Sequence, residues 1–186
     1  MRHNIPVLTL LFLASQISST HAGAAAPASA PSAVTIDFDG VTDGAFADFK
    51  EHGFGVRAKT SGWMGDTNFG DPPPFIEFET PAGVASTQSV IVTHGGRSFT
   101  FQSVAIYSSI TTIPYKFRGS LNGLTKYVAK GTVPNTFGNF ATVTNPDSAT
   151  VIDRLVVSVT NPLTACCSNP EGIDNIVVTP TTASSK

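Results

Sequence analysis

Helical periodicity is what this 186-residue chain most plainly lacks. No long stretch spaces its apolar residues three and four apart, and the one segment that could make a helix, Ala45 to His52, allows two turns at most. Charge is also sparse. Lys, Arg, Asp and Glu make up 13% of the residues, the net charge is -2, and no basic run stands anywhere, which removes the electrostatic motive for nucleic-acid or anionic-membrane partners. The two cysteines are adjacent, Cys166 and Cys167, so a framework of several disulfides is excluded, and so is the spaced Cys, Trp and Cys signature of an immunoglobulin sandwich. Of the four histidines, only His52 and His94 lie beyond residue 22. Without a Gly-x-Ser-x-Gly elbow or a His-Glu-x-x-His motif, a serine triad and a zinc hydrolase have no anchor. The apolar run Ile5 to Ile17 is broken by Ser15 and Gln16 and is shorter than the roughly 20 residues a membrane span needs.

That run follows a basic start, Met1-Arg2-His3-Asn4, and ends in small residues at Thr20-His21-Ala22. Residues 1–22 therefore read as a secretory signal peptide cleaved after Ala22, and the mature chain as secreted or extracellular, with the periplasm as the other destination. Cleavage removes Arg2 and leaves 10 basic against 13 acidic residues, a net charge of -3. Residues 23–33, rich in Ala, Pro and Ser, read as a flexible linker, residues 34–180 as one domain, and residues 181–186 as a disordered tail.

Within the domain the period is two. Leu155, Val157 and Val159 alternate with Arg154, Ser158 and Thr160, and Tyr115, Phe117, Gly119 and Leu121 alternate with Lys116, Arg118 and Ser120. The second run meets Asn122-Gly123 and resumes at Leu124, which predicts a hairpin on a type I′ turn. Further strands are predicted at Val34–Phe38, Gly55–Lys59, Phe75–Phe78, Ser89–Thr93, Phe99–Tyr107, Phe140–Thr144 and Ile173–Thr179. The apolar parity switches between Phe101 and Val104, which predicts a β-bulge near Gln102 or Ser103. Many short strands, Gly/Pro/Asn punctuation and no crossover helices predict an all-β fold: an antiparallel β-sandwich of jelly-roll type.

Four groups of residues could carry chemistry. Asp37, Asp39 and Asp174 tag the first and last strands and could hold a structural Ca²⁺ between them, with Asp43 joining; water or backbone N–H groups could equally satisfy them. Cys166 and Cys167 have Cα atoms about 3.8 Å apart, below the usual disulfide range, so the alternatives are a strained vicinal disulfide, two reduced thiols, or bonds to another chain. The loop from Ser61 to Asp71 sets Trp63 among Asp66 and Asn68, a mixture suited to stacking a sugar ring and bonding its hydroxyls, unless the indole folds back onto the sandwich. Tyr107 and Tyr115 would assist if their rings face out. Glu77 and Glu79 share a strand face roughly 7 Å apart; paired carboxylates are what glycoside hydrolysis needs, although two acids facing water are the commoner case. Thr93-His94-Gly95-Gly96-Arg97 lies between strands and reads as a turn.

Several segments together carry a resemblance: Phe99-Thr100-Phe101 running to Ile106-Tyr107-Ser108-Ser109, Ile113-Pro114-Tyr115 with Phe117 and Gly119, Gly131 to Thr136, and Ile152-Asp153-Arg154-Leu155 ahead of Gly172-Ile173-Asp174-Asn175-Ile176. Over roughly residues 34–180 the set resembles the β-sandwich domains of exported bacterial proteins related to the PEP-CTERM surface proteins, themselves similar to galactose-binding-like jelly rolls. The C-terminal sorting signal of that family is missing. The resemblance implies an extracellular, non-catalytic role and calcium at Asp174. The function expected is a secreted binding module for glycan or exopolysaccharide. A structural or adhesive matrix protein, marked by exposed Phe residues, is the second reading, and a glycosidase using Glu77 and Glu79 the third.

Overall fold

The computed structural model describes residues 31–68, 73–137, 139–162 and 166–181. The predicted signal peptide, most of the linker, residues 182–186 and the far part of the Trp63 loop lie outside the described residues.

Thirteen strands form two antiparallel sheets, and no helix occurs among the described residues. The first sheet contains β1 (Val34–Ile36), β2 (Gly44–Ala45), β5 (Met64–Asp66), β6 (Phe75–Thr80), β8 (Phe99–Ser108), β11 (Ala141–Thr144) and β13 (Asn169–Pro180). Its order is β11-β8-β13-β6-β5-β2, with β1 also paired to β13. The second contains β3 (Asp48–Glu51), β4 (Phe54–Ala58), β7 (Ser86–Thr93), β9 (Ile113–Leu121), β10 (Leu124–Val133) and β12 (Arg154–Asn161), in the order β10-β9-β12-β7-β4-β3. The pairings β9 with β10, β8 with β11, β7 with β12 and β6 with β13 are nested one inside the next. One long hairpin rolled across two sheets in this way is a jelly roll.

The inner faces follow the alternation. Leu155, Val157 and Val159 of β12 meet Ile173, Ile176 and Val178 of β13 in a single core with Phe54, Phe78, Phe101 and Phe117. The β9–β10 turn uses Asn122 and Gly123 at φ 52° and 77°, both positive as a type I′ turn requires. The predicted bulge is present: Val177 and Val178 of β13 face Ser103 and Phe101 of β8, leaving Gln102 as the extra residue. The turn Gly95-Gly96 also forms, between His94 and Arg97.

The one segment that could have made a helix, Ala45 to His52, makes none. Ala45 closes β2, and Asp48–Glu51 pairs with β4 through a His52-Gly53 turn at φ 48° and 80°. Phe46 and Phe49 pack on Phe38 instead of along a helix face, at ring distances of 6.2 and 5.5 Å. A short stretch of good helix formers is overridden here by two aromatic anchors and a turn that only the partner strand satisfies.

Candidate functional site

β13 pairs with β6 through residues 169–173 and with β1 through residues 176–178, so its neighbour changes at Asp174-Asn175. Asn175 sits at φ 47° at that change. Asp174 is buried, its Oδ1 has no hydrogen-bond partner among the described residues, and Asn175 Nδ2 donates to Oδ2. Burial first, then the charges of Asp37, Asp39 and Glu51, push Asp174 up to about 7. Glu51 comes from the end of β3. Its Oε2 accepts the Asp37 N–H at 2.9 Å, and burial and a hydrogen bond to the Asp37 carboxyl raise its pKa. The charges of Asp37 and Asp39 are thus felt at Asp174, and so is that of Glu51, which comes from the segment that could have made a helix. Asp43 does not: its carboxylate accepts Thr67 N–H at 2.7 Å, Thr67 Oγ1 at 2.8 Å and Asn68 Nδ2 at 2.8 Å, which lowers its pKa. As placed, no three acid, His or Cys side chains among the described residues enclose an ion.

The residues expected to contact a ligand do not form an exposed platform. Trp63 is 2% exposed and packs edge-on against Phe78 at 5.0 Å, because the residue preceding β5 faces the inter-sheet core. Tyr107 is 3% exposed; its hydroxyl donates to Glu77 Oε2 at 2.7 Å, and its ring packs between Phe75 and Phe140. Tyr115 is half-buried and stacked on Phe117 at 4.8 Å. Asp66 is buried and accepts the Asn68 N–H at 2.7 Å, while exposed Asn68 bonds Asp43. These side chains hold loops and core together, and none offers a ring face to a sugar.

Glu77 is half-buried and engaged by Tyr107, with its pKa raised chiefly by burial, whereas Glu79 is exposed. The row Glu77, Gly172, Tyr107 crosses β6, β13 and β8, and Gly172 is needed there: a Cβ would lie 2.3 Å from the Tyr107 ring. Cys166 and Cys167 are exposed thiols that hydrogen-bond to each other rather than a disulfide, with Cys167 at φ 63°. The loop that carries them is held by Asn169, which bonds Ser108, Asn161 and Glu171 beneath it.

The open concavity lies elsewhere, on the outer face of the second sheet. A groove of about 430 Å³ has Asp48, Lys50, Arg57, Thr93 and Arg154 along its walls and Ile91 among its lining residues. A second depression of about 230 Å³, lined by Lys59, Arg118, Ser120 and Val156, shares Arg154 with it. Sequence reading missed this site because its residues come from separate strands and make no motif.

No family model matches this chain, and no curated protein does. Among solved structures it is similar to CBM29_1, a family 29 carbohydrate-binding module from Piromyces equi, at 11% identity and TM-score 0.48, covering 81% of this chain and 91% of that one. TmCBM61, solved in complex with β-1,4-galactotriose, matches at 9% identity and TM-score 0.39, over 68% of this chain and 88% of that one. An arabinose-bound α-L-arabinofuranosidase matches at 10% identity and TM-score 0.44, over 77% of this chain and 25% of that one. The jelly-roll assignment rests on the strand pairings themselves.

Proposed function

We propose that this chain is a non-catalytic, extracellular glycan-binding module whose ligand lies in the groove on the outer face of the second sheet. The observation that carries the reading is the groove: an open channel across adjacent strands, with hydrogen-bonding side chains standing over apolar Ile91 and Val156. Export, and kinship with PEP-CTERM surface proteins, belong to this proposal. Glu77 and Glu79 line neither depression, and Glu77 is occupied by Tyr107, which favours binding over hydrolysis. The adhesive alternative loses its main support, since Phe137 is the one strongly exposed Phe among the described residues. Affinity electrophoresis against soluble and insoluble polysaccharides tests the reading. Retardation by at least one polysaccharide, lost on substitution of Arg57 and Arg154, is expected; a folded protein retarded by none would refute it.

Calcium is the second part of the proposal, at the junction of Asp37, Asp39, Glu51 and Asp174. The support is a buried Asp174 oxygen without a hydrogen-bond partner among the described residues, on a carboxyl whose pKa the charges of Asp37, Asp39 and Glu51 help to raise. Closing on an ion requires Asp37 and Asp39, which lie toward the surface, to rotate inward. Calcium should raise the melting temperature of the native protein and leave Asp174→Asn unmoved. An identical melting temperature with calcium and with chelator would sink this part alone.

A further inference from the structure

The outer face of the second sheet collects cations that the sequence scatters. Strand registers place Arg118, Val156, Ile91, Arg57 and Asp48 in one row across β9, β12, β7, β4 and β3. The neighbouring row runs Ser120, Arg154, Thr93, Gly55 and Lys50. Lys130 stands directly opposite Lys116 on β10 and β9, and Lys59 continues β4 into the second depression. Seven of the chain's 11 Lys and Arg residues therefore share this face with, among the described residues, a single carboxylate in these rows, Asp48. All seven are exposed.

This arrangement opposes stability. Like charges directly opposite one another in a sheet are destabilising, and Lys116 faces Lys130 in register. Among the described residues the one contact within salt-bridge distance is His52 to Glu51 at 3.9 Å, which neutralises none of the seven. Arg118 spends its guanidinium on Thr125 Oγ1, at 3.0 and 2.8 Å, rather than on an acid. Protection of sheet edges by lysine would account for Lys50 and Lys130 on the edge strands, but not for Arg57, Arg118 and Arg154 on interior ones.

We infer that this face binds an anionic polysaccharide, one carrying carboxylate or sulfate groups along its length; the inference rests on the groove being the glycan site. The cations extend across six strands, about 24 Å at ~4.8 Å per strand, a span that a single small anion would leave mostly unpaired. A polymer with repeated anions engages them together. Guanidinium forks suit planar carboxylates and sulfates, and exposed Arg118 and Arg57 flank Val156 and Ile91 in the same row. Single-stranded nucleic acid is disfavoured because the face offers no exposed aromatic ring for base stacking: Phe49 is turned onto Phe38. A membrane is disfavoured because the exposed apolar side chain on the face is Val128, too small to anchor among acyl chains.

The test compares polygalacturonate with its neutral methyl ester and dextran sulfate with dextran, adding poly(U) and phosphatidylserine vesicles. Expected are retention on an acidic polymer, affinity at least about tenfold weaker for its neutral partner, and a loss of about tenfold or more between about 50 mM and 500 mM salt. Arg57→Gln with Arg154→Gln should weaken binding about tenfold, and Arg97→Gln, which removes one positive charge off this face, should leave it unchanged. A melting curve checks that the double variant is folded, and Lys116→Gln with Lys130→Gln provides a second pair. Equal affinity for charged and neutral polymers overturns the charge inference and leaves the glycan reading intact. Retention on neither overturns both. Tighter binding of poly(U) or vesicles overturns the choice of occupant.

Discussion

Glu171→Gln isolates one buried charge and turns it into a measurable pH dependence. Glu171 lies on the inward face of β13, opposite Phe78 on β6 and Ser108 on β8, and is fully buried. Its Oε1 accepts Asn169 Nδ2 at 2.9 Å, and its Oε2 has no partner among the described residues. Burial pushes its pKa from the ordinary 4.5 up to about 8, and the Asn169 hydrogen bond only partly offsets that. The folded protein therefore keeps a proton that the unfolded chain releases above pH 4.5. Stability is unimpaired below that pH, falls by about 1.4 kcal/mol per pH unit as pH rises toward 8, and is level beyond. Across that window the loss approaches about 5 kcal/mol, of which about 3 kcal/mol has accumulated by pH 7. Gln has the shape of the protonated acid and no charge to release, so the variant should lack this component. Urea melts of both proteins from pH 4 to pH 9 should coincide at the acid end and diverge above pH 5. At pH 7 the variant should melt about 6–12 °C higher. Parallel stability profiles, or a variant less stable than the native protein at pH 8, would refute the buried, protonated Glu171.

Trp63→Ala should act as a core truncation, costing about 3–5 kcal/mol in urea or thermal melts while the folded fraction keeps its glycan affinity. Loss of ligand without loss of stability would return the indole to a binding role. Gly119→Ala places a Cβ 2.2 Å from Tyr127 Cε1 and 2.8 Å from Ile152 Cγ2. It should destabilise by about 1–3 kcal/mol through overpacking between β9 and β10. A neutral result in chemical denaturation would mean that the Tyr127 ring moves aside freely.

Local chemistry made much of the architecture readable. Asn122-Gly123 permits positive φ at two successive residues, so its hairpin is encoded in two letters. The parity switch in β8 announced the Gln102 bulge, because side chains alternate faces and an extra residue must break that alternation. The Ala45–His52 segment stays ambiguous in the sequence because its propensities are helical, and what opposes them, Phe38 and strand β4, is distant or paired only after the chain turns. Of the acidic junction, the three aspartates at the strand ends could be picked out, but Glu51 could not. Its approach to Asp37 depends on how the second sheet's edge meets the first.

Alternation and turn residues by themselves determined that this chain makes antiparallel strands, and the absence of crossover helices determined that they close as a sandwich, since both follow from the geometry of a few neighbouring residues. Which face each side chain took in the loops, and which strands became neighbours, was decided only by tertiary structure. Trp63 and Tyr107 are ring-bearing residues in promising sequence contexts, yet burial in the core and beneath Phe140 removes them from any ligand. Lys50, Arg57, Lys59, Lys116, Arg118, Lys130 and Arg154 make no basic run along the chain. Strands distant in sequence lie about 4.8 Å apart in a sheet, and that spacing turns scattered cations into one charged face.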